Sequence, residues 1–450
     1  MTSATKTFGE LGVKVVTGHR VLGGFIGSER EKASWVTEKI DFWIEAVGKL
    51  SHIAKKDPQA AFIAISKSLQ NEWTYLQRVL KSNEETFQSL KDVIALHFLP
   101  EICGFELHNF EADILLQPTR FGGVGIRDPV KTASSAYKSS YEASAVLRNA
   151  ITTGGIIDIQ DHNLHFRKMT TNIKREDEEL TAQHTGSLLD KISIDFSNQI
   201  TRIMSYKCSS WLSANPWEDS YFVMTPDEFR DSMACRYSKT PRNLQAWCDG
   251  CGKPFDVDHA LDCKNGGLVY QRHNESRDEN CDLNRKAGLS QVISEPIIQE
   301  ADANGAGELR GDWSVRGFWV PQRVALFDTR IFNANAPSYK TLSLEAAFSI
   351  HRNEKKRRYC AAAEHRRASF TPIIATCEGI FDREADAYVK RLAFHLSKKW
   401  EKSLSQSIFW VRARLQMCIL RSVSNCFRGS RTKWRGGNVE DGAAMPYISN

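Results

Sequence analysis

The sequence of 450 residues contains no apolar run that approaches the ~18–20 residues needed to cross a bilayer. Its first residues, Met-Thr-Ser-Ala-Thr-Lys, lack the apolar region of a signal peptide. The chain also shows no internal repeat and no low-complexity tract, so nothing in it indicates a repeat array. We therefore expect a soluble protein that does not span a membrane and is not secreted by a visible route.

The cysteines are too few for a dense disulfide framework, since there are 11 of them in 450 residues. Six lie among apolar neighbours and are interpreted as reduced core thiols, namely Cys103, Cys208, Cys360, Cys377, Cys418 and Cys426. This usage favours a reducing compartment. The formal net charge of +6 permits nucleic-acid binding without demanding it. The length predicts about two to four domains.

The glycines near the start of the chain do not have the spacing of a dinucleotide-binding or Walker A phosphate loop. The segment from Gly18 to Gly27 alternates like a strand and contains paired glycines, which predicts a hairpin. Apolar residues then recur at helical spacing from Val36 to Leu50, and again after Pro58. Residues from about 150 to 235 are more polar and are predicted to be mostly helical.

Three thiols and one imidazole occur close together at spacings that suit a tetrahedral zinc ion. Cys248, Cys251, His259 and Cys263 are separated by two, seven and three residues. His259 and Cys263 lie four apart, so one helical turn places them on the same side. The alternative is that these cysteines are core residues without a metal. The pattern predicts zinc more strongly than it predicts what the zinc is for.

Beyond this segment the pattern changes to short apolar runs that predict strands, the clearest from Arg323 to Phe332. A basic helix is predicted from about Ser343 to Ala368, followed by a strand from Phe370 to Cys377 and two further helices. Strands followed by helix, strand and helix predict a small α/β domain with a mixed sheet.

Two aspartates, Asp312 and Asp328, lie on adjacent predicted strands with Pro321 between them. Because neighbouring strands are ~5 Å apart, the two carboxylates can share a hard divalent cation such as Mg²⁺. Such a cation activates water and neutralises the charge that develops on a phosphodiester. The alternative is that both aspartates cap turns at strand ends.

The same hypothesis needs a cation to hold the phosphate and allows a third carboxylate. Arg330 lies two residues after Asp328 and therefore on the same face of the strand. Lys355 and Lys356 on the following helix are the other choices. Glu295 is either a third ligand or an ordinary surface glutamate.

The order of these motifs resembles the C-terminal end of site-specific non-LTR retrotransposon polyproteins. The matching features are the Cys-x2-Cys-x7-His-x3-Cys segment, Arg-His-Asn at 272–274, one Asp on each of two strands, and a helix with Glu-Lys-Lys-x-x-Tyr at 354–359. In the last motif Lys355 lies four residues before Tyr359. That end is a CCHC zinc knuckle joined to a restriction-like endonuclease of the PD-(D/E)XK superfamily. The resemblance matches Asp312 to the acidic residue of Lys/Arg-Pro-Asp, Asp328 to the second acidic residue, and Lys355 to the catalytic lysine.

The N-terminal part is similar to the hairpin that follows a reverse transcriptase palm, and then to the thumb and linker. The resemblance implies an α+β multidomain protein with a thumb-like helical region at 1–145, a helical linker at 146–240, a zinc knuckle at 241–273 and a nuclease domain at 274–435. Two departures stand out. Gly311 replaces the proline of the first acidic motif, and the sequence has neither a Tyr-x-Asp-Asp motif nor a preceding fingers or palm region. We expect no polymerase activity, and a fragment, truncated copy or host-retained remnant of an element.

The resemblance implies a DNA endonuclease with structural Zn²⁺ and catalytic Mg²⁺, in which Asp312, Asp328, Lys355 and Arg330 are catalytic and Glu295 assists the magnesium. Its partners would be DNA and the RNA of the element, contacted by Arg272, His273 and Lys356, and its location the nucleus. The rival hypothesis is a nucleic-acid-binding remnant that keeps the fold and the zinc but has lost cleavage. A helical protein without any nucleic-acid role is a third possibility.

Overall fold

The computed structural model describes residues 11–81, 84–108, 110–217, 219–301 and 307–432, together with residues 4, 7 and 8. The protein is α+β, with 62% helix and a small mixed sheet. It divides into two compact units, with the division between Lys239 and Thr240. The predicted end of the nuclease region at residue 435 lies outside the described residues. In the part of the chain that the structure describes, no helix is long and apolar enough to span a membrane.

The first unit begins with an antiparallel hairpin of β1 (Gly18–Val21) and β2 (Gly24–Gly27). The α-helices that follow are α1 (Glu29–Ala54), α2 (Pro58–Ile63), α3 (Gln70–Val79), α4 (Gln88–Val93), α5 (Leu99–Cys103), α6 (Glu111–Leu115), α7 (Pro129–Ala143), α8 (Ala145–Thr153), α9 (Ile159–Leu189), α10 (Ile194–Ser205), α11 (Ser210–Ser213) and α12 (Pro226–Arg236). Short π-helical stretches join α2 to α3 and α4 to α5, at Ala64–Leu69 and Ile94–Phe98.

Helix α1 shows how the sequence determines this unit. Ser28 caps its N-terminus by accepting a hydrogen bond from the Glu31 backbone N–H, as serine does at this position. Val36, Ile40, Trp43 and Val47 are buried along the helix at intervals of three and four residues. The stripe that predicts a core helix is therefore the stripe that packs inward.

The second unit contains the mixed sheet. Its elements are α13 (Val257–Asp262), α14 (Leu268–Lys286), β3 (Ile293–Ser294), β4 (Ile297–Gln299), β5 (Leu309–Arg310), β6 (Trp313–Arg316), β7 (Val324–Phe332), α15 (Leu344–His365), β8 (Ser369–Thr376), α16 (Arg383–Trp400) and α17 (Leu404–Arg428). The main sheet has the order β3-β6-β7-β8, in which only the β7–β8 pairing is parallel. Helix α15 makes the crossover that a parallel pair requires. Strands β4 and β5 pair separately.

The two faces of β7 have different surroundings because successive side chains alternate across a strand. Ala325 and Phe327 belong to the larger core, which also takes residues from α14, α16 and α17. Leu326 belongs to a smaller core beneath α15, with Tyr359. Asp328 lies two residues after Leu326 and therefore on the same face of β7. Its carboxylate points towards α15 rather than into the larger core.

Candidate metal centre and acidic pair

Cys248, Cys251, His259 and Cys263 converge on one point, and their ligand atoms all lie within 4.8 Å of one another. The first pair sits in a tight turn, where the Gly252 N–H donates to the carbonyl of Cys248 at 2.8 Å. Gly252 has a φ of +71°, a conformation that glycine adopts without strain. His259 and Cys263 are joined by one helical turn at α13, whose N-terminus is capped by Asp256. Among the described residues, no other group of three or more metal-binding side chains is as compact.

The distances within this group fit a tetrahedral zinc ion. Zn–S bonds of about 2.3 Å at tetrahedral angles place two sulfur ligands about 3.8 Å apart. The Sγ atoms of Cys248 and Cys263 are 3.9 Å apart, and Cys251 Sγ is 3.3 Å from His259 Nε2. A disulfide would need an S–S distance of about 2.05 Å. All 11 cysteines are free thiols, so the group is compatible with a structural zinc site.

The electrostatics of the group favour a thiolate at Cys248. Burial opposes ionisation, but hydrogen bonds from the Gly250 N–H and from His259 and Cys251 lower the pKa of the Cys248 thiol to about 6. Burial raises the pKa of Cys263, and the neighbouring Cys248 adds to this effect. Zn²⁺ binds cysteine as thiolate, so a thiol that already ionises readily suits it as a ligand.

A C-terminal segment that the sequence analysis missed holds this loop in place. The Asp249 carboxylate accepts hydrogen bonds from the backbone N–H groups of Arg431 and Thr432 and from the Ser430 hydroxyl. Arg431 is only 2% exposed. Its guanidinium donates to the carbonyl of Ala260 at 3.0 Å. No local pattern in the sequence marks Arg431, because its partners lie about 170 residues earlier in the chain.

Arg431 also explains two glycines of the loop. A Cβ atom on Gly250 would lie 2.6 Å from the Cβ of Arg431, and one on Gly266 would lie 2.4 Å from its Cα. Neither distance is one that real Cβ atoms accept. The guanidinium lies 4.8 Å from the ring centre of Phe255, within cation–π range. The segment that carries the four ligands, residues 248–266, is called the metal-binding loop below. It packs directly against the C-terminal segment.

The acidic pair is formed across two neighbouring strands. Trp313 of β6 is paired with Phe327 of β7, and Asp312 precedes Trp313 by one residue. The Asp312 backbone N–H donates to the carbonyl of Phe327 at 2.9 Å, which holds the two strands together at this point. The Thr329 N–H, which follows Asp328 in the chain, donates to the Asp312 carboxylate, and the charge of Asp312 raises the pKa of Asp328, so the two carboxylates are neighbours.

Each carboxylate has its own partners. One oxygen of Asp312 accepts a hydrogen bond from the Thr329 backbone N–H, and the other is 3.0 Å from His273 Nε2. Asp328 forms an ion pair with Lys355 of α15. Burial raises the pKa of Asp328, the adjacent charge of Asp312 raises it further, and Lys355 and Tyr359 oppose both effects.

Glu295 reaches this region only through its backbone. Its N–H donates to the carbonyl of Asp312 at 2.8 Å, whereas its carboxylate forms an ion pair with Arg277. The three acidic residues are not among the compact metal-binding groups of the described residues. The structure therefore brings Asp312 and Asp328 together and leaves the carboxylate of Glu295 engaged elsewhere.

The surroundings of Gly311, which precedes Asp312, favour glycine at this position. The Gly311 N–H donates to the carbonyl of Pro296 at 3.1 Å, a bond that proline could not make. A Cβ atom at Gly311 would lie 3.3 Å from the carbonyl oxygen of Phe327, which leaves little space for a larger residue. This packing still places Asp312 at the strand end.

The predicted basic contacts are placed in different environments. Arg272 is only 5% exposed, and its guanidinium donates to Cys377 Sγ and to the carbonyl of Ile331. This burial corrects the expectation that Arg272 is a surface contact for nucleic acid, because its donors face the protein interior. Lys356 forms an ion pair with Glu384 at 2.5 Å. Its ammonium therefore already has an acidic partner.

Arg330 and His273 remain open to solvent contact. Arg330 is half-buried and lines a cleft together with His273. The His273 side chain is 31% exposed while its ring nitrogen contacts Asp312. These two residues therefore connect the acidic pair to the surface of the unit.

No protein-family model matches the chain, and no curated protein matches it significantly. Function must therefore be inferred from the metal-binding group, the acidic pair and the resemblance of the motifs.

Proposed function

We propose that the protein is a metal-dependent DNA endonuclease derived from a site-specific non-LTR retrotransposon, with a structural zinc ion in the Cys3His group. The observation that carries the proposal is the proximity of the Asp312 and Asp328 carboxylates, with Lys355 paired with the second one. The parallel crossover β7–α15–β8 beside the pair supports assignment of the second unit to the PD-(D/E)XK superfamily. DNA is the proposed partner, with the RNA of the element as a second one and the nucleus as the location.

The donor set of the acidic pair suits a hard cation. Mg²⁺ is commonly bound through one or two carboxylates, with water and substrate phosphate oxygens as its remaining ligands. Asp312 and Asp328 supply two carboxylates, so the absence of Glu295 from the group does not prevent binding. When bound, the cation supplies an activated water and neutralises developing charge on the phosphate.

The residues of the chain have separate tasks in this proposal. The Thr329 N–H and His273 orient the carboxylate of Asp312, while Lys355 orients that of Asp328. Lys355 balances the buried negative charge before substrate arrives, and its ammonium can then hold a phosphate oxygen at the same place. Arg330, on the same strand face as Asp328, is the second cation available to the phosphate.

The test is nicking of supercoiled plasmid DNA in the presence and absence of Mg²⁺. Asp312→Asn and Asp328→Asn remove one negative charge each with almost no change in shape, and each should abolish magnesium-dependent nicking. Asp282→Asn, on the surface of α14 and paired only with Lys286, is the matched control and should nick normally. Unfolding temperatures of all three variants show whether they are folded. Nicking at the parental rate by either Asn variant of the pair refutes the catalytic assignment.

A second candidate is a nucleic-acid-binding protein that does not cleave. It is favoured by the ion pair between Lys355 and Asp328 and by the engagement of Glu295 with Arg277, which leave the acidic region largely neutralised. One labelled duplex separates the two candidates when its binding and its cleavage are measured with and without Mg²⁺. Salt-dependent binding with no cleavage in either condition supports this second candidate.

A further inference from the structure

The largest unexplained feature of the second unit is a cleft of about 1240 Å³. One wall is formed by residues of the metal-binding loop between Cys251 and Asn265, and the other is the end of β7 with the residues that follow it. Tyr270 and His273 of α14 form its floor. Because His273 also contacts Asp312 at 3.0 Å, the cleft runs from the Cys3His group to the acidic pair.

The charged groups of the cleft favour an anionic occupant. Lys253, Lys264 and Arg330 line it, and in the part of the chain that the structure describes their side chains make no hydrogen bond or ion pair. Of the two aspartates in the lining, Asp258 accepts a hydrogen bond from Asn333. Three cations without partners therefore face the cleft together.

An aromatic surface lies between these cations. The Tyr270 side chain is 66% exposed, although large aromatic residues normally bury most of their surface. Its ring lies at 24° to the ring of His273, with the ring centres 6.4 Å apart, which is the spacing of successive residues on one helix face. An exposed ring flanked by unpaired cations is the arrangement with which proteins bind single-stranded nucleic acid.

The size of the cleft limits what enters it. Clefts of 300–1,000 Å³ enclose one drug-sized ligand, so this one accommodates a few nucleotides of one strand rather than a duplex. We propose that the cleft binds an unpaired DNA strand, with a base stacked on Tyr270 and a phosphate held by Arg330, beside the acidic pair. This inference rests on the proposed function for its choice of DNA, and it makes the substrate a duplex with an unpaired end rather than a continuous one.

The test compares three fluorescein-labelled DNAs of one sequence: a blunt duplex, the duplex with a single-stranded tail, and the single strand. Binding is measured by fluorescence anisotropy with Ca²⁺ in place of Mg²⁺. The parent protein should bind the tailed duplex more tightly than the blunt one. Tyr270→Ala should weaken binding of the tailed duplex about 5- to 150-fold, the usual contribution of one stacked base. Tyr270→Phe, which keeps the ring, should bind like the parent.

Two further variants make the result specific. Trp247→Ala removes an equally exposed aromatic residue of the same unit outside the cleft, and it should bind all three DNAs normally. Arg330→Gln should reduce the slope of log K against log salt for the single strand by about 0.7, as loss of one phosphate contact does. Equal affinity of the parent for blunt and tailed duplexes, or an unchanged affinity in Tyr270→Ala, overturns the inference.

Failure of this inference can be distinguished from failure of the proposed function. Plasmid nicking that depends on Asp312 and Asp328, together with no effect of Tyr270→Ala on the tailed duplex, refutes the strand-binding cleft and leaves the nuclease standing. Tail-specific binding that depends on Tyr270, together with no nicking, refutes the nuclease and leaves the cleft as a nucleic-acid site.

Discussion

Replacement of Arg431 by methionine is expected to destabilise the second unit and loosen its metal-binding loop. Methionine keeps a long flexible side chain but removes the donors to the carbonyls of Ala260 and Cys426 and the contact with the Phe255 ring. Hydrogen bonds from charged donors contribute about 1.5–3 kcal/mol each. Part of the lost stabilisation is offset, because the variant no longer has to bury a charged group.

The expected net loss in the free energy of unfolding is about 3 kcal/mol. At about 2–4 °C per kcal/mol for a unit of this size, the unfolding midpoint should fall by roughly 6–12 °C. Thermal unfolding followed by circular dichroism measures this change. Release of zinc to a chromogenic chelator should also be faster, since Arg431 packs against Gly250 and Gly266 of the loop.

The matched control is Lys402→Met, which removes one exposed cation near the start of α17 and should leave both measurements unchanged. Equal unfolding midpoints for Arg431→Met and the parent would show that the buried guanidinium contributes nothing net. Normal stability with faster zinc release would show instead that the segment covers the loop without supporting the fold.

Two further predictions concern the same unit. Cys251→Ser should abolish stoichiometric zinc binding, measured by metal analysis of the purified protein, and a chelator that lowers the unfolding midpoint of the parent should have no further effect on this variant. Burial and the charge of Arg330 lower the pKa of His351 to about 4. Because the unfolded histidine titrates near 6.5, the native state binds fewer protons and loses stability as the pH falls, by about 1 kcal/mol at pH 5.5 and about 3 kcal/mol below pH 4. His351→Phe keeps a ring against Phe332 and should remove this part of the pH dependence in urea unfolding, and an unchanged pH dependence would contradict the assignment.

The metal-binding group could be predicted because its ligands are local. All four ligands lie within 16 residues, from Cys248 to Cys263. Turn and helix preferences over so short a distance are enough to bring them together. The proximity of Asp312 and Asp328 also followed from two adjacent strands joined by a turn, although only the structure shows that the Asp312 carboxylate bonds to the Thr329 N–H beside Asp328.

The surroundings of these groups could not be predicted in the same way. Whether Arg272 is exposed depends on β7 and on Cys377, which follows it by 105 residues. The partner of Lys356 is Glu384 on α16. The groups that donate hydrogen bonds to Asp249 belong to residues 430–432, about 180 residues later. Side-chain partners of this kind are set by tertiary packing, and no periodicity in the sequence encodes them.

The two members of the acidic pair are not equivalent, and the difference follows from their surroundings. Asp312 accepts a backbone hydrogen bond and contacts His273 at the edge of the cleft, whereas Asp328 is more deeply buried and depends on Lys355 to offset the cost of its charge. A carboxyl group must be ionised to bind a hard cation, and burial raises the pKa of Asp328. In the proposed nuclease, the ionisation of Asp328 then sets the lower pH limit of cation binding. Asp312, which is oriented from two sides and reached from the cleft, fixes where the cation meets the substrate strand.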